Sequence, residues 1–287
     1  MTLKQRQQRI GILFASPFLI GFILFFIAPF IISIGYTFTF GTGGTRFVGL
    51  QNYVDVFNSS AFQLASYNTF RFISIGVPLI MLLALVISLL LNKKFGGSSF
   101  FRSVFLYPLV IPIASTVMVF NLFFAESGLL NTLFSTIGIP VVEWLNSNYA
   151  FSVLVGLYIW KNCGYNIVLL LTGLNSIPYD FYEVARIEGA TKWQQFRYIT
   201  MPIMMPTFFF VFVISIINSF KCFREAFLLS GTLPHKSIYM LQHFMNNNFT
   251  NLNYQRLSVA AFLIFLVIFA LIYVLFRMRK KAGDIQL

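Results

Sequence analysis

Long apolar runs separated by short polar breaks make up this chain, and the runs are of membrane-crossing length. Residues 10–40 hold no charged side chain. A helix needs about 20 apolar residues to span a bilayer. The run therefore predicts a first transmembrane helix whose excess length is taken up by tilt or by an extension beyond the membrane. Pro17 and Pro29 predict kinks within it. A secretory signal does not fit, because the run is too long and lacks a small-residue cleavage site. Residues 41–68 read as a polar loop with Gly41, Gly43 and Gly44. Further spans are expected at 70–91, 104–124, 149–174, 203–229 and 257–276. The pattern predicts an all-α integral membrane protein with six transmembrane helices. It reads as a single membrane domain over 1–287, without an internal repeat or a large soluble appendage.

The loop at 175–202, between the fourth and fifth spans, is the longest charged, helix-forming segment. Pro178 suits the first turn of a helix, where a missing N–H costs nothing. Asp180 and Glu183 come early and Lys192 and Arg197 late, as the helix dipole favours. Gly189 permits a change of direction after about three turns. The expected form is a short helix, a bend, and a second short helix running into Pro202. For Glu183, an intrahelical pair with Arg186 is one available use, alongside docking to a partner.

Composition sharpens the picture. The chain is 58% hydrophobic and 10% charged, against roughly half and a quarter in soluble proteins. Its net charge of +12 does not gather into a nucleic-acid-binding patch; the cations sit in the breaks between runs. Lys4, Arg6, Arg9, Lys93, Lys94, Arg102, Arg186, Lys192, Arg197, Arg277, Arg279, Lys280 and Lys281 fall on the side of the termini, and Arg46, Lys221, Arg224, Lys236 and Arg256 on the other. The positive-inside rule then puts both termini and the 175–202 loop in the cytoplasm. Cys163 and Cys222 lie in or beside apolar spans and read as buried thiols, with neither metal-ligand nor disulfide spacing.

Catalysis finds little support. No phosphate-binding Gly-x-x-x-x-Gly-Lys-Ser/Thr loop occurs, nor any Gly-Lys pair. His235 and His243 are eight residues apart, which is neither a zinc-helix spacing nor the seed of a triad, and they read as solvated loop histidines.

The polar points of the spans are where a solute path belongs, because polar groups at membrane depth usually face a cavity or a partner. In the fourth span Tyr158, Asn162, Tyr165 and Asn166 recur at i, i+4, i+7, i+8 and share a face. In the fifth, Ser215, Asn218, Ser219 and Cys222 share another, with Phe223 beside them. Amides, hydroxyls and aromatic faces suit a sugar's hydroxyls and C–H surface. The same residue types also hold packed spans together, so cavity and interhelical contact both stay open. Asn121 in the third span joins the candidate path. Lys161 has three possible uses: meeting an anionic substrate, pairing with a partner's acid, or snorkelling to the interface.

The pattern Glu183-x-Ala185-x-x-x-Gly189, nine residues, then Ile199-x-x-Pro202 resembles the signature loop of membrane subunits of ATP-binding-cassette (ABC) importers. Ser176-Ile177-Pro178, Trp193-Gln194-Gln195-Phe196 and Phe47-Val48-Gly49-Leu50-Gln51-Asn52-Tyr53 are similar to the branch that includes maltose, lactose and glycerol-3-phosphate permeases. Val184 stands where that family usually has Ala, and Met201 where it usually has Leu. Arg224-Glu225 replaces an Asp after Phe223, and Ser230-Gly231-Thr232-Leu233-Pro234 replaces a Gly-Gly-Pro turn. The resemblance implies a type I importer permease in a bacterial inner membrane. It implies that Glu183, Ala185, Gly189 and Ala190 seat a coupling helix on a cytoplasmic ATPase, and that the polar residues above line the substrate cavity. It implies as partners a second permease subunit, two ATP-binding subunits that carry ATP and Mg, an extracytoplasmic solute-binding protein and a sugar, with no cofactor in this chain. Two readings stand beside it: an anionic polyol or acidic sugar as cargo, with Lys161 and Lys221 as contacts, and a passive channel or secondary carrier, which needs no docking loop.

Overall fold

The computed structural model describes residues 3–41, 43–93 and 97–283, with side chains excepted for 3–9 and 278–283. The topology signals therefore rest in part on side chains that are not described (Lys4, Arg6, Arg9, Arg279, Lys280 and Lys281) and on Lys94, which lies outside the described residues. Among the described residues, six helical segments are long and apolar enough to cross a membrane: Ile10–Phe38, Ser60–Asn92, Ile113–Thr136, Tyr149–Asn175, Lys192–Ser230 and Tyr254–Arg277.

The elements run α1 (Leu3–Phe22), a π-helical turn Ile23–Ile27, α2 (Ala28–Phe38), and a hairpin of β1 (Thr39–Phe40) with β2 (Arg46–Phe47). Next come α3 (Gln51–Phe57), α4 (Ser60–Leu91), α5 (Ser98–Val110), α6 (Ile113–Phe124), α7 (Leu129–Thr136) and α8 (Tyr149–Asn175). The remainder is α9 (Asp180–Ile187), α10 (Lys192–Gln195), a second π turn Phe196–Thr200, α11 (Met201–Phe220), α12 (Phe223–Ser230), α13 (Leu241–Thr250) and α14 (Tyr254–Gly283).

Several boundaries differ from the sequence pattern for physical reasons. The second span begins at Ser60 because its polar first turns are occupied: Asn68 Nδ2 donates to the Lys236 and Tyr239 carbonyls (2.7 and 2.9 Å), and Thr69 Oγ1 accepts from the Leu241 N–H (3.0 Å). The third apolar run is broken at Ile111-Pro112, both extended, between α5 and α6. Proline disfavours a helical residue before it. At Pro202 the expectation of a helix end fails, and the helix runs straight through. Proline has no N–H to offer, and its ring crowds the carbonyl four residues back. Here the preceding turn widens, with Met201 N–H reaching Phe196 O. The same device precedes Pro29, where Ala28 N–H reaches Ile23 O.

The chain groups into two compact units, Met1–Gln63 with Met245–Phe269, and Leu64–Phe244 with Ala270–Leu287. In the first, Asn52 is buried and its Nδ2 donates to the Thr37 and Thr39 carbonyls (3.0 and 2.9 Å), which fixes α3 under the hairpin. Gln255 Nε2 donates to the Gly41 carbonyl (2.9 Å), and Phe30 packs edge-on against Phe265. The second unit is organised around α8. Leu154, Tyr158, Ile167 and Leu170 are buried there among Phe72, Ile80, Met204 and Val211. Both cysteines are buried free thiols.

Candidate functional site

Two features of the second unit stand out: a polar cavity beside α8 and an exposed loop after it. The cavity depends on how α5 meets α8. A Cβ on Gly164 would collide with the Phe105 carbonyl oxygen and lie 2.6 Å from its carbon. Only glycine allows this approach, and it brings the end of α5 and the Ile111-Pro112 break against α8. The break leaves the Ile111 carbonyl outside any helix, and Lys161 Nζ donates to it at 3.3 Å. One of the three ammonium donors is thus engaged, and two remain.

Facing this, α8, α11 and α12 enclose about 580 Å³, within the range of small-molecule sites. Its polar lining is Lys161, Asn162, Tyr165, Asn218, Lys221, Arg224 and Glu225, and Leu109, Ile113, Ile214 and Ile217 complete it. Asn162 turns its amide N–H to the Tyr158 carbonyl of its own helix (2.9 Å). Among the described residues, Tyr165, Asn218, Lys221 and Arg224 make no side-chain hydrogen bond or ion pair. Glu225 is only 6% exposed, and its Oε2 has no hydrogen-bond partner.

The two predicted faces therefore divide. Lys161, Asn162, Tyr165 and Asn218 stand on the cavity wall. Tyr158 and Asn166 turn instead to α11: Tyr158 Oη donates to the Ser215 carbonyl (3.0 Å) and Asn166 Nδ2 to Ser215 Oγ (2.9 Å). Ser219 is buried and donates to the Ile216 carbonyl (2.6 Å), and Cys222 is buried beside it. Phe223 packs edge-on against His243 (4.8 Å), and Asn121 is half-buried on α6, away from the lining. Lys221, counted with the outer-side cations and also offered as a contact for an anionic cargo, lines the cavity, as does Arg224, read only as an outer-side charge, and Glu225 was not singled out. A charged triplet closing an apolar run was its signal, since such groups persist at membrane depth only beside a cavity or partner. His243 also departs from expectation. It is fully buried, with Nδ1 accepting from the Met240 N–H (3.1 Å), and burial pushes its imidazole down to about 4.

The 175–202 loop takes the expected helix–bend–helix form. Gly189 has φ +80° and ends α9 in a Schellman motif, with Ala190 N–H on the Ala185 carbonyl and Gly189 N–H on that of Arg186 (2.8 and 3.0 Å). Thr191 and Gln194 form a capping box that starts α10. The inner side is tied down by buried Ile177, by Tyr182 Oη with Thr200 Oγ1 (2.8 Å), and by Gln195 Nε2 on the Ala190 carbonyl (3.0 Å). The outer side is left open: Phe181, Val184 and Ile187 are 52%, 56% and 86% exposed. Glu183 is exposed and forms no ion pair among the described residues, while Arg186 lies over the Tyr179 ring (5.3 Å).

Six spans, a polar cavity flanked by two of them and a structured loop with an exposed apolar face define a membrane permease. The chain belongs to the family of binding-protein-dependent transport system inner membrane components, whose model matches residues 76–280. Among its relatives, a trehalose/maltose transport system permease protein of Thermococcus litoralis is 32% identical over 81% of this chain and 80% of its own. An arabinooligosaccharides transport system permease protein of Bacillus subtilis is 33% identical over 76% of this chain and 71% of its own. A chain of a bacterial ABC transporter involved in the import of the acidic polysaccharide alginate superposes with a TM-score of 0.82 over 97% of this chain and 98% of its own, at 23% identity. At that identity the likeness concerns the fold, which is that of an ABC importer permease.

Proposed function

We propose that this chain is one permease subunit of an ATP-driven importer and forms half of the translocation path for a sugar or oligosaccharide. The observation that carries the reading is the exposed apolar face of α9 on a rigidly built loop. Three large side chains in a row left exposed mark a protein contact, and they lie on the helix that carries Glu183 and Ala185 of the importer signature. Glu183, Ala185, Gly189 and Ala190 seat this helix in a cytoplasmic ATPase subunit, two of which carry the ATP and Mg. A second permease completes the path, and an extracytoplasmic binding protein delivers the cargo. Both termini face the cytoplasm; with Lys221 and Arg224 in the cavity wall, the excess of cations on the terminus side grows.

The cargo class is supported by what the relatives carry and by the cavity, where Asn162, Tyr165 and Asn218 offer amide, hydroxyl and ring to a sugar. Closure of the ATPase pair moves the seated loop, and the attached spans turn the cavity from one side of the membrane to the other.

Gly189 provides the test. Its φ of +80° excludes a β-branched residue, while asparagine tolerates it, and a side chain there meets open space. Gly189→Val is expected to insert normally but to lose the ATPase on affinity purification and to lose uptake, with Gly189→Asn retaining both. Normal ATPase recovery and uptake with Gly189→Val would sink the docking role.

A further inference from the structure

The cavity contains more positive charge than its own residues neutralise. Lys161, Lys221 and Arg224 line it against a single carboxyl, Glu225. Even with Glu225 ionised the wall retains an excess of two cations, and among the described residues none of the four forms an ion pair. Cations that repel one another at membrane depth are costly unless something of opposite sign faces them. Ammonium and guanidinium groups only donate hydrogen bonds, and a guanidinium matches a planar oxyanion with two parallel N–H donors. Glu225 also lines the cavity, but it is only 6% exposed and its Oε2 is buried, so it leaves the cations of the wall without an ion-pair partner. A ligand meeting the demand of the cations carries an anionic group. Tyr165 on the same wall adds a ring for a C–H face.

We infer that this cavity is selective for sugars bearing an anionic group (a carboxylate, sulfonate or phosphate), held by Lys161, Lys221 and Arg224. The inference rests on the reading of the chain as a sugar permease. The three cations carry the specificity, and the amide and tyrosine side chains contribute general affinity for sugar.

The test uses the assembled importer in detergent without its binding protein, so that only the permease pair selects. Equilibrium binding is compared for an acidic disaccharide, digalacturonate, and its neutral counterpart, galactobiose, at low and high salt. The acidic ligand is expected to bind about tenfold tighter at low salt, with the advantage shrinking as salt screens the cations. Replacing Lys221 and Arg224 together by Gln removes the preference, whereas Lys221→Arg with Arg224→Lys keeps it; retained ATPase activity shows that each variant assembles. Equal or tighter binding of galactobiose by the unmodified importer overturns the anionic selectivity and leaves the sugar reading standing. Binding of neither ligand overturns both.

Discussion

Replacing Gly164 with alanine places a methyl group where α5 already has backbone. The added Cβ would lie 2.6 Å from the Phe105 carbonyl carbon and 3.3 Å from the Leu106 nitrogen. Neither atom belongs to a side chain that can rotate away, so one helix must retreat. Carbon atoms settle at about 3.5 Å or more, so clearing the carbonyl carbon takes about 1 Å and clearing its oxygen takes more. Overpacking of this kind costs about 1–3 kcal/mol, which lowers a melting temperature by roughly 2–12 °C in a chain of this size. The shift also displaces Leu109 and Ile113, which line the cavity on either side of the Ile111-Pro112 break. Gly156 on the same helix is a control, because nothing lies within 4 Å of its added Cβ. There alanine only raises helix propensity, by about 0.5–1 kcal/mol in the stabilising direction. Thermal unfolding of the two purified variants, followed by tryptophan fluorescence, should move in opposite directions. Equal melting of Gly164→Ala and Gly156→Ala would refute close backbone approach as the reason for glycine at 164.

Two further outcomes are expected. Burial holds the His243 imidazole neutral down to about 4 against an ordinary 6.5, so its folded-state pKa is depressed. Its contribution is complete above pH 6.5 and is lost as pH falls toward 4, where protonation favours the unfolded chain. His243→Gln should flatten that part of the stability profile, and an unchanged acid slope would count against the argument. Tyr158→Phe removes a buried hydroxyl donor to the Ser215 carbonyl and should cost about 1 kcal/mol in thermal stability while sugar binding stays within about twofold. A large loss of sugar binding in a stable variant would assign Tyr158 to the ligand.

The architecture was readable because bilayer thickness turns length and polarity into spans, and the loop because Pro178 and Gly189 punctuate it. What helical spacing cannot say is which neighbour a shared face meets. Tyr158, Asn162, Tyr165 and Asn166 do share a side of α8, yet that side straddles two surroundings, with Ser215 of α11 taking the outer pair of positions and the cavity the middle two. Lys221 and Arg224 fall inside the expected 203–229 span, yet their charge counted them with the outer side, and nothing in helical spacing says that they turn to a cavity wall. His243 lies in a polar stretch, and only the fold brings Phe223 and Tyr239 against it. The helix passing through Pro202 was hidden as well, since the widened turn that accommodates proline has no residue signature of its own.

That widened turn has a mechanical consequence. Because the helix does not stop at Pro202, α10, the π turn and α11 form one continuous rod from Lys192 to Phe220. At 1.5 Å per residue, Lys192 and Asn218 are about 39 Å apart along it. A push or twist applied beside Gly189 would have a single helix, carrying Pro202 and Pro206, along which to reach the cavity wall. The π turn at Phe196–Thr200 is where that helix departs from regular α geometry, and so where a change in its bend would be accommodated.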